Sequence, residues 1–438
     1  MLVRSIFTSF LILAASFPAA AQVDARAIAT DVHVGRFDPI GTPLPIGSDA
    51  LSITLDPFEA VALSWRSAPS LAADPAVRVR VSEDRSTWSE WRRLTIDGDV
   101  TNRLEGHYAT GIAHFGAPKR TLQISFDHGV DGLVVTAFPQ APVQKSRRAS
   151  VNGFKIGAVE IRSRTDWGCP DGETSSHGTP LYTTVTHAVL HHTAGENSVP
   201  DWDAEMRSIW HLHVFTNGWA DIGYNFLIDP NGVVYEGRAG GDGVVGAHFS
   251  CRNGNTVGIA LLGTYSTVKP TDAAIASLKA LLAEICAKDG IDPTAVALHA
   301  STGAMLPTIL AHRDGNSLYP EVTCTVTECP GDAFYAMIPG IREDVLSIDE
   351  QPRSIMIAPG GSATLSVLAK GAGPLSYQWY QGTPGNVDSP ISGATSATVI
   401  VAPEKTTSYW VRVSNDFGFI DSAASIVNVW RKTRAVRR

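Results

Sequence analysis

Between about residues 28 and 140 the chain alternates apolar and polar residues in short runs, ALSITL, VALSWRS, AVRVRVSED and TLQISF, punctuated by Pro, Gly and Asp. A period of two between turn residues predicts β-strands. The pattern changes over roughly 156–348. THAVLHHTA and TVGIALLG are mostly nonpolar on both parities, which predicts sheet strands covered on both sides. DAEMRSIWHLHV at 203–214 places Met206, Ile209, Trp210 and His213 at three- and four-residue steps, the spacing of a helix. YNFLID and GVVYEGR read as a hairpin turning at Pro230-Asn231-Gly232. A second helix is predicted from Ala273 to Lys288, opened by Thr271-Asp272 and closed by Gly290. A last helix from Asp332 to about Leu346 should break or bend near Pro339. From 350 to 430 strands return as SIMIA, SATLSVLAK, LSYQWYQG, SATVIVA, SYWVRVSN and ASIVNV.

These patterns predict a multidomain chain. A central α/β mixed-sheet domain (156–348) is flanked by an N-terminal β-sandwich-like domain (28–140) and a C-terminal immunoglobulin-like β-sandwich (350–430). A linker spans 141–155. In the C-terminal domain Trp379 is the expected core tryptophan and Tyr409 opens a late strand. This pattern resembles bacterial immunoglobulin-like modules, whose usual work is spacing or adhesion. The chain's 438 residues suit two or three domains. At the start, Arg4 precedes an apolar run from Ile6 that ends in Ala19-Ala20-Ala21, which predicts a signal peptide over 1–21 and a secreted chain. No later stretch is long and uncharged enough to predict a transmembrane segment.

Charge narrows the partners. With 35 basic and 43 acidic residues the net charge is −8, which argues against a nucleic-acid-binding surface. The basic tail 431–438 reads either as a solvated end or as a contact for anionic cell-wall polymers. Trp88 and Trp91 offer either sandwich packing or a carbohydrate platform.

The five cysteines, Cys169, Cys251, Cys286, Cys324 and Cys329, all fall in the middle region. In an oxidising compartment four could form two disulfides, and a metal is one protector of the fifth. Three donors stand out: His191 near the end of a buried strand, His312 after an apolar run, and Cys329 before the last helix. Two imidazoles and a thiolate suit tetrahedral zinc with one open position. Each has an ordinary alternative: a core histidine, a salt bridge, or a disulfide with Cys324. Adjacent strand residues point to opposite faces, so only one of His191 and His192 should join a site, with His187 on the parity of His191.

The ordered blocks RTDWG (164–168), VLHHTA (189–194), GWADIGYNFLIDPNGVVYEGR (218–238), GAHFSCRNGNTVGIALLG (246–263), AHRD (311–314) and TECPGD (327–332) resemble the peptidoglycan recognition protein family and its type 2 N-acetylmuramoyl-L-alanine amidase relatives. The resemblance implies a zinc hydrolase that cuts between the lactyl group of N-acetylmuramic acid and L-alanine of the peptidoglycan stem peptide. It implies Zn2+ ligands at His191, His312 and Cys329, a catalytic tyrosine at Tyr224, and a further catalytic position at Thr327. Asn225, Arg238, His248 and Asn253 are weaker candidates for substrate contact, while Trp167 and Trp219 serve packing. If Cys329 binds zinc, Cys169, Cys251, Cys286 and Cys324 remain for two bridges, with Cys324 tethering the insert GNSLYPEVTCTV. Many relatives follow YEGR with Gly-Trp where this chain has Ala239-Gly240, so diaminopimelate-versus-lysine selectivity stays open. A non-catalytic recognition protein is the alternative function, and a surface adhesion protein a weaker one.

Overall fold

The structure, a computed structural model, describes residues 30–34, 50–67, 76–97, 106–127, 130–139, 154–156, 159–250, 252–318, 326–371, 373–416 and 418–430. The expected signal peptide, most of the linker, Cys251, Cys324 and the basic tail lie outside the described residues.

The N-terminal domain contains β1 (Thr30–Val34), β2 (Leu51–Arg66), β3 (Val77–Ser82), β4 (Arg92–Arg93), β5 (His107–Ala109), β6 (Ala113–Phe126) and β7 (Asp131–Phe138). They pair antiparallel in the order β1-β7-β2-β6-β3-β4, with β5 added to β2. The expected sandwich is therefore one hydrogen-bonded sheet among the described residues. Strand β2 is long enough to pair with β6 over 51–61, with β5 over 64–66 and with β7 over 60–66, its register against β6 shifting around Phe58, and Phe58, Leu63 and Trp65 pack with Leu122 and Leu133. Arg80 lies 5.0 Å from the Trp88 ring and 4.8 Å from the Trp91 ring. Both half-buried indoles thus flank one guanidinium.

The central domain runs through β8 (Phe154–Ile156), β9 (Val159–Arg162), β10 (His187–His192), α1 (Trp202–His211), β11 (Phe226–Ile228), β12 (Val234–Glu236), β13 (Thr256–Leu261), α2 (Asp272–Asp289), the hairpin β14 (Val296–His299) and β15 (Ala304–Pro307), β16 (Ile309–Ala311), α3 (Asp332–Tyr335) and α4 (Ile338–Asp344). Its mixed sheet has the order β16-β10-β13-β11-β12-β9-β8. The pairs β16–β10, β10–β13, β13–β11 and β12–β9 are parallel, while β11–β12 and β8–β9 are antiparallel. Helix α2 matches its sequence signals: Thr271 accepts the Ala274 N–H, and Gly290 caps the other end at φ 67°. The last helix does break, into α3 and α4, with Pro339 in the first turn of α4. Helix α1 ends earlier than its apolar spacing predicts and widens into a π turn over Leu212–Thr216.

Strand parity sorts the two faces. Ala188, Leu190, Ile259 and Leu261 pack toward Leu278, Leu281 and Leu282 of α2. Leu227, Tyr235 and Ala260 pack toward Met206, Ile209 and Trp210 of α1. His191 sits opposite Ala260 in the β10–β13 register, on the α1 face.

Each face is shared with a flanking domain. The α2 side joins one continuous apolar core with the C-terminal domain, including Trp379, Val411 and Val427. The α1 side meets the N-terminal sheet through Ala60, Ala62, Ile112 and Phe138. In the C-terminal domain a five-stranded sheet is accompanied by two two-stranded sheets. Trp379 is fully buried there, donates to the Ser396 carbonyl, and Tyr409 is also buried.

Two of the expected disulfide cysteines are corrected by the structure. Cys169 and Cys286 are free and buried, so the two-bridge framework does not form. Cys169 lies instead against the Arg164 guanidinium, its Sγ 3.0 Å from Nη2, and Cys286 is on the inner face of α2.

Candidate metal centre

His191, His312 and Cys329 come together as the sequence predicts. Strand β10 delivers His191 from its C-terminal part, and His312 begins a 3-10 turn immediately after β16, the neighbouring parallel strand. Cys329 arrives from the turn that leads into α3. Their donor atoms lie within 4.8 Å of one another, and all three residues are buried. The Cys329 Sγ is 3.6 Å from His191 Nδ1. Zinc bonds of about 2.3 Å to sulfur and about 2.05 Å to nitrogen at a tetrahedral angle require a separation of about 3.6 Å. The donor set fits zinc in chemistry and in spacing.

Hydrogen bonding independently turns the His191 lone pair toward this cluster. The Thr256 hydroxyl donates to the Asn253 carbonyl at 2.8 Å, so toward His248 Nε2, at 3.3 Å, it can only accept. A neutral His248 protonated on Nε2 has a bare Nδ1, which lies 3.0 Å from His191 Nε2. His191 then carries its proton on Nε2, and its Nδ1, the atom facing Cys329, presents a lone pair to the cluster. The His248 ring is held tightly, because a Cβ at Gly246 or Gly258 would overlap it. Partners behind a ligand histidine fix its tautomer and ring orientation.

Cys329 is aimed by neighbouring hydrogen bonds. The His192 N–H points at its Sγ at 3.4 Å, and its own N–H is accepted by the Thr327 hydroxyl at 3.0 Å. Asn316 in turn clamps Thr327, accepting its N–H at 3.0 Å and donating to its carbonyl at 2.7 Å. In the AHRD turn Asp314 accepts from the Ala311 N–H and from the Tyr335 hydroxyl, both at 2.8 Å. Tyr224 is buried with its ring centroid 5.2 Å from that of His191.

The remaining candidates sort by what they touch. His192 faces away from the cluster and accepts the Tyr265 N–H. His187 meets His299 edge to face with centroids 5.0 Å apart, at the far end of the strand. Asn225 accepts from the Gly258 N–H and donates to the Val244 carbonyl, so its amide ties β13 to the loop beyond β12. Asn253 accepts the N–H groups of His248 and Phe249 and braces that turn. Arg238 is half-buried and donates to the carbonyls of Ile222 and Asp221. The buried ion pair belongs to Arg164 and Asp221, at 0% and 1% side-chain exposure. Trp167 is in the core, while Trp219 packs at a tilt against His213.

Thr256 and Asn316 were not singled out from the sequence. Thr256 did leave a signal, a hydroxyl at the head of an otherwise apolar buried strand.

Residues 181–332 match a family model described as N-acetylmuramoyl-L-alanine amidase. Peptidoglycan-recognition protein SC2 of Drosophila simulans is 39% identical over 135 residues, 30% of this chain and 71% of that protein. Peptidoglycan-recognition protein LB of Drosophila melanogaster is 31% identical over 188 residues, covering 42% and 70% of the two chains. An N-acetylmuramoyl-L-alanine amidase of Sus scrofa is 32% identical over 187 residues, covering 42% of this chain and 27% of that one. A mixed α/β sheet carrying a His/His/Cys zinc triad defines a zinc hydrolase of the amidase class. The chain belongs to the peptidoglycan-recognition protein and amidase family.

Proposed function

We propose that the protein hydrolyses the amide between the lactyl group of N-acetylmuramic acid and L-alanine in peptidoglycan. The observation that carries this reading is the directed His191 lone pair beside Cys329 and His312. Zinc bound there supplies a Lewis acid and lowers the pKa of a water molecule. Tyr224, packed beside His191, donates a hydrogen bond to the oxygen of the scissile carbonyl as negative charge grows on it. Thr327 holds the Cys329 backbone and turns its own proton toward the same oxygen. Arg238 is assigned to the stem-peptide carboxylates, because carbonyl groups accept its hydrogen bonds and it keeps a half-exposed face. His248, Asn225 and Asn253 act on substrate only through the backbone and ligand they hold.

The flanks are assigned supporting roles. We read the C-terminal domain as an immunoglobulin-like module, supported by its buried Trp379 under antiparallel strands, and the protein as secreted. The basic tail is assigned to anionic wall polymers.

The test incubates the zinc-loaded protein with purified peptidoglycan and follows new L-alanine amino termini by mass spectrometry, with Cys329→Ala as control. Zinc-dependent release lost in the control is expected. Tight wall binding without release would replace the enzyme with a recognition protein.

A further inference from the structure

The five residues assigned to catalysis are all enclosed. His191 is 0% exposed, Tyr224 1%, and His312, Thr327 and Cys329 2% each. The space beside Tyr224, His213 and Leu212 is only about 10 Å³, and its other wall is Asp97, Gly111 and Ile112 of the N-terminal domain. That volume holds about one water, whereas ligand sites commonly span about 300–1,000 Å³. Of the five residues Tyr224 alone lines it, and a muramyl peptide cannot reach Tyr224 from this side.

The contact that closes this space is a distinct seam. Gly111 lies so close to loop 193–197 that a Cβ there would overlap the Ala194 carbonyl, although no left-handed backbone compels a glycine at 111. Ala194, just beyond the metal-ligand strand, holds φ 54°, a strained conformation for a residue with a side chain. Polar pairs surround this point. Arg92 contacts Glu196, His114 meets Glu205 at 2.9 Å, and the Thr136 and Thr216 hydroxyls are 3.1 Å apart. The apolar part of the seam on the N-terminal side is largely Ala60, Ala62, Ile112 and Phe138.

We propose that the N-terminal β-domain is a gate on the Tyr224 side of the amidase site, closed in this structure, and that substrate reaches that side only when the domain lifts from loop 193–197 and α1. The inference rests on the amidase reading of the same site. It makes the free chain a poorly active form, relieved by whatever weakens the seam.

The experiment compares full-length zinc-loaded wild type with Gly111→Ala, which wedges the seam, and Arg92→Glu, which sets like charges across it. Hydrogen–deuterium exchange over residues 193–213 reports opening. Release of L-alanine amino termini from peptidoglycan reports turnover. Both variants should exchange faster, and release should rise at least about tenfold in Gly111→Ala and less in Arg92→Glu. Faster exchange with unchanged or slower release makes the domain a permanent wall and overturns the gate. Unchanged exchange in both variants removes the tight seam on which the gate depends. If no form releases product, the amidase reading fails, and binding of a soluble muramyl tripeptide decides the gate separately. Tighter binding by the opened variants sustains it, and equal binding refutes it.

Discussion

Replacing Thr256 with valine tests the hydrogen-bond chain that orients His191 without touching a metal ligand. Valine keeps the shape and removes the hydroxyl that receives His248 Nε2–H at 3.3 Å. Without metal, the pair can relax by moving both protons, so that His248 Nδ1–H donates to His191 Nε2 across their 3.0 Å contact. His191 then carries its proton on Nδ1, the atom that faces Cys329. Zinc binding must reverse this shift and leave a buried N–H beside valine, at a cost of about 1–3 kcal/mol. Zinc affinity should therefore fall by about 5- to 150-fold. Competition against a chromogenic chelator measures this, with circular dichroism confirming the fold. Zinc affinity within twofold of wild type would refute the reasoning.

Arg164→Met should lower unfolding free energy by about 3–5 kcal/mol in urea titrations, because Asp221 is left buried without its partner. Cys169 and Cys286 are pushed up to about 12 by burial, so iodoacetamide at pH 8 should leave both unmodified in the native protein and label both in urea, read by mass. Burial lowers His187 and His299 below their ordinary value of 6.5. Below that value the unfolded chain binds protons that the folded chain does not, so this stability is present above pH 6.5 and is lost as pH falls toward the lowered values. Urea midpoints of the zinc-free chain should drop between about pH 7 and pH 5, and His299→Gln should flatten that slope.

The signals that read well from sequence were local ones. Thr271 and Gly290 bracket α2 because capping is settled within a turn of chain. The alternation that places one histidine of the pair at the cluster and the other on the Tyr265 N–H needs only strand parity. Contacts with distant partners were not legible in the same way. The ring of His248 meets His191 and Thr256 across strands, contacts that no local pattern shows. The Asn225 amide likewise binds Val244 and Gly258, which lie far from it in sequence. Counting cysteines suggested bridges, but pairing depends on backbone separations that a count does not contain. The widened turn after α1 had no counterpart in the apolar spacing, which continues through His213.

The join between the central and C-terminal domains has a mechanical consequence. Helix α4 ends at Asp344 and the next strand begins at Ser347, with only Val345 and Leu346 between them, at 1% and 3% exposure. Both side chains are plugged into the apolar core that runs from α2 into the C-terminal strands. Such a join has no swivel. Ala188 and Leu190 of the strand that carries His191 lie in the same core, so a load on the C-terminal strands reaches that strand through packed side chains.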